Sequence, residues 1–76
     1  MIYYKVEMKI AYEKHNHIEK DSFTTMKEAE ECFSTQFKFV EFGYLQNKIK
    51  KYSLALAECD TEKQLTKVYK IRNAPL

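Results

Sequence analysis

A chain of 76 residues makes one domain, and at that size only about 60% of the unfolded surface is buried on folding, so the core is small. Its content is 45% apolar and 14% aromatic, with one Gly and one Pro, which excludes a disordered profile; no run of about 18 apolar residues exists to span a membrane. Net charge is +2, divided as −2 over residues 1–43 and +4 over residues 44–76, too small an imbalance to demand an acidic partner.

The opening MIYYKVEMK alternates polar and apolar and lacks a signal peptide's apolar centre. Cys32 and Cys59 are too few for a disulfide framework. A cytoplasmic protein with reduced thiols is expected, in the host cell if the chain is viral. The alternation continues to Tyr12, with Ile2, Tyr4, Val6, Met8, Ile10 and Tyr12 on one face and Tyr3, Lys5, Glu7, Lys9 and Ala11 on the other. Period two over eleven residues predicts a strand with one buried face. Glu13 to His17 reads as a polar turn in which Asn16 can take a left-handed backbone. Ile18 to Phe23 reads as a second, antiparallel strand, an edge protected by Glu19, Lys20 and Asp21.

Thr25-Met26-Lys27-Glu28 has the form of a capping box, and Glu28, Glu30 and Glu31 place negative charge where a helix start favours it. Met26, Ala29, Phe33, Phe37 and Val40 share one helical stripe, with Cys32 at its flank. Phe39 and Phe42 lie more than about 100° from the centre of that stripe. Gly43 suits the position just past a helix end, which favours a helix reaching it over one ending near Lys38. Lys50 to Cys59 alternates again, with Tyr52, Leu54 and Leu56 on a large face and Ser53, Ala55, Ala57 and Cys59 on a small one. After a polar loop, Gln64 to Arg72 reads as a last strand, paired with the one before it. The expected architecture is α+β: a four-stranded antiparallel sheet in the order β-β-α-β-β along the chain, with one helix on one face. It forms a single domain over residues 1–72, with 73–76 a frayed tail.

His15, His17, Cys32 and Cys59 have no metal-ligand spacing, and they read as turn histidines and packed thiols. Carboxylates beside each cysteine (Glu30 and Glu31; Glu58 and Asp60) work against a reactive thiolate. A single glycine excludes a Gly-rich phosphate loop. No enzyme, metal or cofactor is therefore expected. Phe39, Phe42 and Tyr44 are surplus to one helix-on-sheet core and are the expected anchors for another protein or for a second copy of the chain. The alternative is single-stranded nucleic-acid binding by the basic C-terminal hairpin: Lys48, Lys50, Lys51 and Tyr52 form its densest segment, Lys63, Lys67, Lys70 and Arg72 continue the charge, and Tyr3, Tyr44 and Tyr69 are further rings to stack on bases. The S-F-x-T-x-x-E-A pattern (Ser22, Phe23, Thr25, Glu28, Ala29) resembles the strand-to-helix step of many small β-α-β-β proteins. The short, lysine-rich, one-domain chain resembles the small accessory proteins of phages and mobile elements. That likeness implies an inhibitor that binds a host protein or complex.

Overall fold

The period-two stretch at the N-terminus is strand β1 (Ile2–Ala11) in the computed structural model, which describes residues 1–75. It is followed by β2 (Asn16–Phe23), helix α1 (Met26–Leu45), β3 (Lys51–Asp60) and β4 (Leu65–Ala74). The four strands form one antiparallel sheet in the order β2-β1-β3-β4, and α1 packs on one face. The fold is α+β.

The sheet is centred on the two strands with the cleanest alternation. In the β1–β3 ladder Val6 lies opposite Leu56, Met8 opposite Leu54 and Ile10 opposite Tyr52. All six are buried, and they meet Ala29, Phe33 and Val40 of the helix stripe. Met26 and Phe37 pack against this core from its edge. Full burial of each large side chain contributes about 1.5–3 kcal/mol, so this layer supplies most of what holds the two layers together. The opposite sheet face carries Ser53, Ala55, Ala57 and Cys59, and no element of the described residues packs on it.

Several boundaries differ from the sequence expectation. Asn16 and His17 belong to β2, paired with Ala11 and Ile10, and the turn is closed by the Tyr12 amide donating to the His15 carbonyl at 2.8 Å. The left-handed backbone falls not at Asn16 but at Asn47 (φ 61°) and Gln64 (φ 52°), where the chain leaves α1 and where it enters β4. β4 extends to Ala74, so Asn73 and Ala74 are strand rather than tail, held opposite Ser53 and Tyr52. Leu76 of the expected tail lies outside the described residues.

At the helix start, the Thr25 hydroxyl accepts the Glu28 amide at 3.3 Å and donates to Glu28 Oε1 at 2.8 Å. The Glu28 carboxylate is therefore spent on the hydroxyl, a variant of the reciprocal cap. At the other end Gly43 is inside the helix, with no positive φ, and α1 runs two residues past it. The reason for glycine is approach. Ile49 folds back so that its amide donates to the Gly43 carbonyl at 3.1 Å, and a Cβ on residue 43 would stand 2.6 Å from Ile49 Cδ1.

Candidate interaction surface

Because α1 continues through Gly43, its last turns carry side chains on all sides. Positions three apart on a helix step around it by about 60° and up it by about 4.5 Å. Phe39, Phe42 and Leu45 are so related, and they form one oblique ridge on the side away from the sheet. Their relative exposures are 56%, 63% and 68%. Phe42 points most directly outward by helical phase. Phe39 leans toward the β1–β2 end, where it borders a recess lined by Met8, Tyr12, His15 and Thr35. The rings of Tyr12 and His15 stack there at 4.7 Å, which extends the aromatic surface off the helix. Exposed Lys38 and Glu41 flank the ridge by phase.

Of the three expected anchors, Tyr44 is placed differently. It shares the helical phase of Phe33 and Phe37, is partly covered, and meets the Tyr52 ring edge-on at 6.0 Å. Its ring belongs to the rim of the core. Leu45, which replaces it in the ridge, was not anticipated from the sequence. The signal was present in its three-residue spacing from Phe42, but it counts only if the helix passes Gly43.

The basic segment is also divided. Lys48, Lys50 and Lys51 are exposed, and the Lys50 amide donates to the Ala11 carbonyl at 2.8 Å. Tyr52 is 8% exposed and faces α1, where burial and then the Glu41 charge push its phenol up. Its ring face is therefore closed to a nucleobase. The sheet also separates the thiols. Cys59 sits buried on the face opposite the helix, whereas Cys32 on α1 lies 4.0 Å from Asp21 Oδ2. Burial, then Asp21 and Glu19, raise the Cys32 pKa and hold it as the thiol. His15 and His17 remain at the β1–β2 end. The Gln36 amide nitrogen donates to Glu19 (2.9 Å) and Asp21 (3.2 Å), which ties α1 to the edge strand.

No family model, curated protein or solved structure matches the chain.

Proposed function

We propose that the chain is a non-enzymatic protein-interaction module whose anchors are Phe39, Phe42 and Leu45. One observation carries this reading: three large apolar side chains stand side by side, each more than half exposed, on a helix side that nothing else in the described residues covers. Solvent-facing rings of this size gain about 1.5–3 kcal/mol each when fully buried, which is the scale of an interface anchor. The geometry is that of a helix face offered to an apolar groove, with Lys38 and Glu41 at the rim to steer the approach. A groove so filled is closed to its usual occupant, and this is how the module would inhibit a larger partner. A second copy of the chain is the other candidate for covering the ridge.

Replacement of Phe39 and Phe42 by Ser tests it. These side chains lie outside the core, so the double variant should unfold within about 0.5 kcal/mol per site of the native chain. Self-association in a solution-mass measurement, or capture of a purified partner, should be lost. A folded double variant that keeps both would remove the proposal. The competing nucleic-acid reading loses the Tyr52 ring and rests on Lys48, Lys50 and Lys51, with Tyr69 the exposed ring of the same hairpin. Binding of mixed oligonucleotides at low salt that vanishes when these three become Ala would favour it instead.

A further inference from the structure

The two edges of the sheet are unlike. β2 is eight residues long and its outer row mixes signs, with Lys20 held 3.6 Å from Glu7. β4 is ten residues long and nine of them are exposed. It carries Lys67, Lys70 and Arg72 with no acid of its own, and among the described residues none of the three forms an ion pair. Their registers fix where they point. Lys70 and Arg72 lie opposite Leu56 and Leu54, on the helix side, and Lys67 lies opposite Glu58. The Lys70 ammonium sits 5.8 Å from the Phe33 ring and the Arg72 guanidinium 5.8 Å from Phe37, while Arg72 donates to the Ile71 carbonyl at 2.9 Å. Val68 and Ile71, both exposed, lie on the other face, opposite Ala57 and Ala55. The edge thus alternates cations on the helix side with β-branched side chains on the open side, apart from the one-residue bulge at Tyr69.

We infer that β4 is a docking edge for an extended acidic segment of another protein, which adds to the sheet as a fifth strand. Cross-strand neighbours on one face interact directly, so a strand laid along β4 meets Lys67, Lys70 and Arg72 with one set of its side chains and Val68 and Ile71 with the other. The complementary strand alternates carboxylates with apolar residues. The same charges exclude a second copy. Antiparallel pairing of β4 about its own midpoint sets Lys67 opposite Arg72, and like charges placed so are destabilising. The acids that β2 could offer, Glu19 and Asp21, already accept from Gln36. Lysines on an edge strand block indiscriminate pairing, and here they also select the sign of the strand that is admitted.

A labelled synthetic peptide alternating glutamate and valine, as long as β4, tests the inference by fluorescence anisotropy at low salt. It should bind the native chain and shift the amide resonances of β4 rather than those of β2. Lys67→Glu with Lys70→Glu should weaken it by about tenfold or more. N-methylation of alternate peptide amides, which leaves the charge unchanged, should abolish binding. Equal binding by the N-methylated peptide, or by one with lysine in place of glutamate, overturns the inference. So does an oligonucleotide of the same charge that displaces the peptide at equal concentration. The amide shifts need no variant, so they hold even if the double substitution unfolds the chain.

Discussion

Gly43 shows how much one absent methyl group arranges. Alanine there would gain about 1 kcal/mol of helix propensity, but its Cβ would press on Ile49, a buried side chain with little room to retreat. Overpacking of this kind costs about 1–3 kcal/mol, so Gly43→Ala should destabilise by about 1 kcal/mol in urea unfolding. Ile49→Val removes the Cδ1 atom that would be struck and alone costs about 0.5–1.5 kcal/mol. Combining the two should cost less than their sum, and strict additivity would show that the close approach is not what requires glycine. Cys32 makes a second prediction at this scale. Its thiol ionises at higher pH in the fold than in the unfolded chain, because burial and then Asp21 and Glu19 oppose the anion. The stability it contributes is complete below the ordinary value of 9.0 and is lost as pH rises through the raised one. The urea midpoint should fall as pH climbs above about 9, and the first part of that fall should be absent in Cys32→Ala. Tyr3, raised by the hydrogen bond its hydroxyl donates to Cys59, and Tyr69, raised by its hydrogen bond to Glu58, act in the same direction above 10.0. An unchanged midpoint in the native chain across this range would contradict the assignment.

Among the elements, β1 was readable because eleven residues keep one period and its buried face is continuous. The helix stripe was readable for the same reason. What misled was a single residue with two uses. Glycine ends helices by adopting a left-handed backbone and also sits inside them where another chain segment comes close, and composition does not separate these uses. The misplaced end hid Leu45 from the ridge and left Tyr44 counted among the exposed rings. Strand order was not legible either, because alternation reports which face a side chain takes and not which strand lies beside it. The order matters for local stability. β1 and β3 are paired on both sides and lie beneath α1, whereas β2 and β4 each have one free edge. Amide exchange should therefore be slowest in β1 and β3 and faster in β4, whose residues are nearly all exposed, with β2 partly held by Gln36. Protection in β4 equal to that in β3 would mean that the edge is covered in solution.

At the scale of the molecule, the charge imbalance between the two halves of the sequence becomes a lateral one. The acidic half supplies Glu19 and Asp21 to one margin of the sheet, and the basic half supplies Lys67, Lys70 and Arg72 to the other. The ridge of Phe39, Phe42 and Leu45 lies above, on the helix, and the small side chains of β3 lie below. The proposed anchors and the proposed docking edge are therefore separate surfaces, and both can be occupied at once.

The central ladder has a consequence in time. β1 meets β3 across separations from 40 residues (Ala11 to Lys51) to 58 residues (Ile2 to Asp60). At about 5–20 residues per second of synthesis, β1 waits roughly 2–12 s for the strand that completes its second side. Through that interval its one sheet neighbour is β2, with α1 the other element already made that packs on it, and a lone hairpin is marginal in water. Until β3 arrives, the apolar row of Val6, Met8 and Ile10 has the stripe of α1 to meet and one unpaired strand edge beside it, so the late arrival of β3 leaves a half-built sheet as the aggregation-exposed stage of folding.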